Sequence, residues 1–95
     1  MVQVVENWAD IEGEIRSVRD GELRGYKSVE VLVNDAKAVE NFPNLLEQRK
    51  GEVITVNVPE SRAETLQEAY ESGHSQIACR VRLAGPMHFF AHPEL

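Results

Sequence analysis

A single cysteine, Cys79, leaves this chain without an internal disulfide. Its alternate neighbours Ile77, Val81 and Leu83 are apolar. A buried thiol in a reducing cytoplasm is therefore expected. No His or Asn can be placed beside it to make it a nucleophile. No apolar run approaches the roughly 20 residues of a membrane span. The N-terminus lacks the basic region and long apolar stretch of a secretory signal. Both absences point away from a membrane and towards a cytoplasmic location. Basic residues are also scarce. Ten Lys and Arg stand against sixteen Asp and Glu, for a net charge of −6. Bulk electrostatics then disfavour non-specific nucleic-acid binding, which depends on clustered Lys and Arg. A local basic patch is still compatible with that balance.

Catalytic signatures are missing too. The chain has no Gly-rich phosphate loop, no Walker motif and no Ser-His-Asp order. Asp10, Glu12 and Glu14 read most simply as a solvated strand face. His88 and His92 share parity, but strand positions four apart are about 13 Å apart, too far for one metal. No Cys or carboxylate stands at ligand spacing from them or from His74. Neither an enzyme nor a metal or cofactor is expected.

What the chain does have is two kinds of periodicity. With 95 residues it supports one domain and one core. From Trp8 to Arg19, Ile11 and Ile15 alternate with Asp10, Glu12, Glu14 and Arg16. That is a strand with one wet face. Gly13 falls on its inward register, where glycine marks a bend or a close backbone approach. Val18 has the wrong parity, which places a bulge near Arg16-Ser17. Asp20-Gly21 signals a hairpin, with a loop over residues 20–23. A second strand, about Arg24 to Asn34, turns Val29, Val31 and Val33 inward. The stretch from Asp35 to Lys50 is irregular. Pro43 and Gly51 there bracket a short helix over Asn44 to Lys50, and Phe42, Leu45 and Leu46 read as apolar plugs. A third strand, Val53 to Val58, sends Ile54, Val56 and Val58 inward.

Period 3.6 then takes over. Ser61-x-x-Glu64 has the form of a capping box, and Gly73 stands where a helix ends. Between them Ala63, Leu66, Ala69 and Tyr70 make an apolar stripe. A helix this short needs docking on a sheet to persist. A fourth strand, His74 to Leu83, points Ile77, Cys79, Val81 and Leu83 inward. Gly85-Pro86 turns the chain into a fifth strand, Met87 to Ala91, with Met87, Phe89 and Ala91 on one face and His88 and Phe90 on the other.

The order β-β-β-α-β-β resembles the oligonucleotide/oligosaccharide-binding (OB) fold over residues 8–92. The matching pieces are Ile-Glu-Gly-Glu-Ile in the first strand, Lys-Gly-Glu-Val-Ile-Thr-Val opening the third, and Ile-Ala-Cys-Arg-Val-Arg-Leu-Ala-Gly in the fourth. They are marks of a fold and belong to no particular family. The resemblance implies a mainly β, closed or partly open five-stranded Greek-key barrel. It also implies a binding face on strands two and three, flanked by the loops between strands one and two and between four and five.

Two patches compete to be the site. Arg16, Arg19, Arg24, Tyr26 and Lys27 cluster around the first hairpin, with Arg80 and Arg82 on the outer face of strand four. The basic residues suit phosphates and Tyr26 suits a base, which makes single-stranded DNA or RNA a candidate partner. The plainer reading pairs these cations with Glu12, Glu14 and Glu30 across strands. The second patch is apolar. Leu32, Val53 and Phe90 point outward on strands two, three and five, and mark a protein partner or homo-oligomer interface. Trp8 precedes the first strand and reads as a cap on the barrel's open end, with stacking on a ligand as its functional alternative.

Overall fold

The computed structural model describes residues 6–85 and 88–94. Five strands close into a barrel: β1 (Ala9–Asp20), β2 (Tyr26–Ala38), β3 (Val53–Pro59), β4 (Gln76–Leu83) and β5 (Phe89–Ala91). Around the barrel they run β1-β2-β3-β5-β4, and β4 returns to β1. One helix, α1 (Glu60–Glu71), joins β3 to β4. This is the strand order and helix position that the OB fold requires.

β1 holds the closure together because it pairs on both sides. Its first half, Ala9 to Glu14, is antiparallel to β4 from Val81 to Gln76. Its whole length is antiparallel to β2. Two irregularities allow it to coil. Arg16 is skipped between the pairs Ile15↔Val31 and Ser17↔Glu30, and Asn34 is skipped between Gly13↔Val33 and Glu12↔Asp35. An extra residue on one strand bends it and increases the local twist. Gly13 lies at this bend. A Cβ there would stand 2.3 Å from the Leu32 carbonyl oxygen, so no other residue fits without moving backbone.

The alternation places the core as read. Val29, Val31, Val33, Ile54, Val56, Val58, Ile77, Cys79, Val81 and Phe89 are buried inside the barrel. Ala63 and Leu66 of α1 pack against that core, and Leu46 is a fully buried plug. Phe42 and Leu45 are half-buried.

Several boundaries differ from the sequence reading, beginning with β2 at Tyr26 rather than Arg24 and β4 at Gln76 rather than His74. β2 does not stop at Asn34. The bulge there resets the parity, so the strand continues to Ala38 with Ala36 buried. The expected helix over Asn44 to Lys50 is only a 3-10 turn, Glu47–Arg49. The Asn44 side chain accepts from the Leu46 N–H and donates to the Ala36 carbonyl, a local alternative to helix. The capping box does not form. α1 begins at Glu60, directly after β3, so Ser61 already lies inside the helix and makes no side-chain cap. The Glu60 N–H donates instead to the Gly25 carbonyl of the first hairpin loop. β5 is seen from Phe89, and the expected Pro86 turn and Met87 lie outside the described residues.

The helix end is as expected. Gly73 is left-handed, with φ +89°, its N–H donates to Tyr70 O, and the His74 N–H donates to Ala69 O. Those two bonds are the Schellman termination that glycine permits.

Candidate functional site

The outer surface of β2 and β3, between the β1–β2 loop and the β4–β5 loop, carries a groove of about 580 Å³. Arg19, Asp20, Glu22 and Leu23 form one wall. Ser28, Thr55 and Asn57 form the floor, and His88 stands opposite. The floor residues are small and polar because they occupy the outward register between buried Val29, Val56 and Val58. The groove's chemistry is mixed, with one arginine against two acids on its rim.

The basic residues read from the sequence are not one patch. Arg19 lies 3.5 Å from Glu30, which also accepts from Ser17 Oγ. Arg16 stands 4.0 Å from Glu14. Lys27 donates to Gln67 of α1 and lies 4.0 Å from Asp20. Arg80 makes two hydrogen bonds to the Asp10 carboxylate, from Nε at 2.8 Å and Nη2 at 3.2 Å. Those bonds hold its guanidinium above its already high pKa. Arg80 faces the start of β1, away from the hairpin that carries Arg19 and Arg24. Arg19 and Arg80 adopt the cross-strand pairing anticipated for these cations, with Asp10 as the acid for Arg80, whereas Arg16 meets Glu14 of its own strand. Exposed pairs of this kind contribute about 0–1 kcal/mol each, so they neutralise more than they stabilise. Arg24, exposed in the hairpin loop, and Arg82 have no acidic partner among the described residues.

Arg82 has a different environment. Its guanidinium lies 5.5 Å from the Phe90 ring centre and 6.0 Å from that of Trp8. Phe90 also meets Tyr26 edge-to-face at 5.6 Å, and Trp8 meets the His92 ring at 5.3 Å. Register explains this row. Ser28 pairs with Asn57, Asn57 with Phe90, and Phe90 with Arg82. Continuing the β1–β4 register one residue beyond Ala9↔Val81 brings Trp8 beside Arg82. The groove floor therefore passes without a break into a belt of rings and one guanidinium.

Asn7 fixes the belt's far end. This side chain is 2% exposed, donates to Leu83 O at 2.8 Å and accepts from Leu83 N–H at 2.9 Å. It extends the β1–β4 ladder with an amide in place of backbone and so seats Trp8. Trp8 thus lies on the outer row rather than capping the barrel. Nothing in the sequence marked Asn7, since its role depends on a partner 76 positions away.

The apolar patch separates into two places. Leu32 and Val53 are direct cross-strand partners, and Val53 is 51% exposed. Phe90 lies opposite Asn57, four residues further along β3, or about 13 Å. The Cys79 thiol is 6% exposed, and burial pushes its pKa from 9.0 up to about 11. That burial favours the protonated thiol at neutral pH. Among the described residues no His, Cys, Asp and Glu gather as metal ligands, and no helix is long and apolar enough to cross a membrane.

No protein family, curated protein or solved structure matches the chain.

Proposed function

We propose that this barrel is a non-catalytic domain that binds single-stranded nucleic acid across the β2–β3 groove. The observation that carries the reading is the Tyr26–Phe90 pair beside the groove floor. Single-strand binders of this fold combine a groove with aromatic faces on which bases stack, each base contributing about 1–3 kcal/mol. Tyr26 and Phe90 supply two such rings, and Arg19 stands on the groove wall.

The acidic balance and the paired arginines shape the expected affinity. Arg16 and Arg80 contribute only by releasing Glu14 and Asp10. With most of the cations already paired to acids, the salt dependence should be shallow for a nucleic-acid binder. Stacking then supplies most of the binding. A titration with short single-stranded DNA and RNA at low salt, followed by NMR, tests this. Shifts should concentrate at Ser28, Thr55, Asn57, His88 and Phe90, and Phe90→Ala should weaken binding about tenfold. No shift with either polymer at low salt discards the reading.

A second reading rests on exposed Val53 beside half-buried Leu32, which suits a protein partner or a second copy of the chain. Sedimentation tests the second copy. An oligomer that Val53→Asp converts to monomer supports it, and a strictly monomeric wild type removes it.

A further inference from the structure

We infer that the strand does not end in the groove but continues along the outer belt over β5 and β4, where Arg82 takes a backbone phosphate and Trp8 takes a base. This rests on the nucleic-acid reading above and adds a path and a second subsite to it.

Two independent features of Arg82 carry the inference. The first is its isolation from acid. In a chain of sixteen acidic residues, Arg16, Arg19, Arg49 and Arg80 each lie within 4.0 Å of a carboxylate. Arg82 sits two residues from Arg80 on the same outward face, yet has no acidic partner among the described residues. The second is its setting. Its guanidinium stands 5.5 Å from the Phe90 ring centre and 6.0 Å from that of Trp8, two contacts that engage none of its N–H donors in a hydrogen bond. A planar fork of donors held in this way matches phosphate oxygens two at a time. The rings also limit the rotamer freedom that a bare surface arginine loses on binding.

Continuity comes from the register. Ser28, Asn57, Phe90 and Arg82 lie in one row. With Trp8 beyond Arg82, the row crosses four strand steps, about 19 Å at about 4.8 Å per step. The groove floor is its first half. A strand leaving Asn57 meets Phe90 next, then a positive charge, then an indole. That order of ring, cation and ring suits alternating bases and phosphates. It suits a flat apolar partner poorly, because the exposed guanidinium at its centre would lose water without an acceptor.

The chain's single tryptophan makes the test direct. Deoxythymidine and uridine oligonucleotides of about 4 to about 16 nucleotides cover the site sizes of such barrels. Each is titrated while Trp8 fluorescence and the NMR signals of Thr55, Asn57 and His88 are followed. The shortest should shift the groove signals and leave Trp8 fluorescence unchanged. Longer ones should quench Trp8 and bind about tenfold tighter. Arg82→Gln should remove the quenching and the tenfold gain while the groove shifts persist, and Arg82→Lys should restore charge without restoring the full gain. Groove shifts that saturate with Trp8 fluorescence unchanged at every length overturn the path and leave the groove reading standing. Neither shifts nor quenching overturns both.

Discussion

The β1–β2 ribbon and the β5 closure are built on different terms. The ribbon pairs from Ala9↔Ala38 to Asp20↔Lys27 and is continuous apart from its two bulges. Among the described residues β5 pairs with β3 at Val56↔Phe89 and Asn57↔Phe90, in parallel, and with β4 from Val81↔Ala91 to Leu83↔Phe89, with one further backbone bond at each end. The ribbon is held by repetition. The closure is held by a few side chains: buried Phe89, Asn57 Nδ2 donating to Phe89 O, and Arg62 of α1 donating to His92 O. The difference teaches where this barrel can open. Regions with few ladder bonds lie at the low end of local stability, and binding surfaces are drawn from that end. The proposed ligand belt crosses the closure at Phe90.

The contrast can be broken at its strongest point first. Phe89→Ala removes a large, fully buried side chain from a three-residue strand and should cost about 4 kcal/mol. Urea unfolding measures it, and a loss under about 1 kcal/mol would show that the closure does not depend on this ring. Gly13→Val attacks the ribbon where its backbone is crowded. Its Cβ clashes with Leu32 O and with Val31 Cγ1, at 2.3 and 2.8 Å, and the expected cost is about 3 kcal/mol. A neutral result there would mean that the ribbon can uncoil without opening the barrel.

A third experiment uses pH on β4, the strand shared by both regions. Cys79 holds its proton up to about pH 11 when folded and up to 9.0 when ordinarily exposed. The unfolded chain therefore ionises first, and the folded state binds the extra proton between those values. The stabilising contribution is complete below pH 9 and is lost as pH rises through 11, by roughly 2–3 kcal/mol. Comparing urea midpoints of wild type and Cys79→Ala from pH 8 to 11 isolates this thiol from the other titrating groups. Parallel curves would count against it. The smallest effect belongs to Tyr70→Phe, which removes the hydroxyl donating to Arg16 O at the β1 bulge. The phenol is partly exposed, so the loss should be about 0.5 kcal/mol. Faster amide exchange in α1 with ribbon amides unchanged would place that loss in the docking of the helix.

Much of the barrel was legible in the chain. The inward valines of β2 and β3, the alternation of β4 and the parity slip at Val18 all report the local pleat, which depends only on neighbouring residues. The β2 extension was not legible, because the bulge at Asn34 reverses parity and makes a continuing strand look finished. The helix start was misread for a related reason. Ser61-x-x-Glu64 has the right spacing, but β3 feeds α1 without a loop, and a backbone carbonyl from the first hairpin satisfies the first N–H. Of the site, the outward orientation of Tyr26, Arg82 and Phe90 could be read. The pairing of Arg80 with Asp10, the distance between Phe90 and Val53, and the use of Trp8 and Asn7 could not. Those follow from which residues stand opposite one another across strands far apart in sequence.

Sequence by itself determined which side of each strand is apolar as far as Asn34, that β1 bulges near Arg16, and that a helix ends at Gly73. These are sums of short-range preferences for burial and backbone angle. Tertiary structure alone decided which arginines meet an acid and that Arg82 lies over two rings. A one-residue change in register would move every outward side chain to the other face, so the two skipped residues, Arg16 and Asn34, fix the arrangement of the outer surface as much as any residue on it.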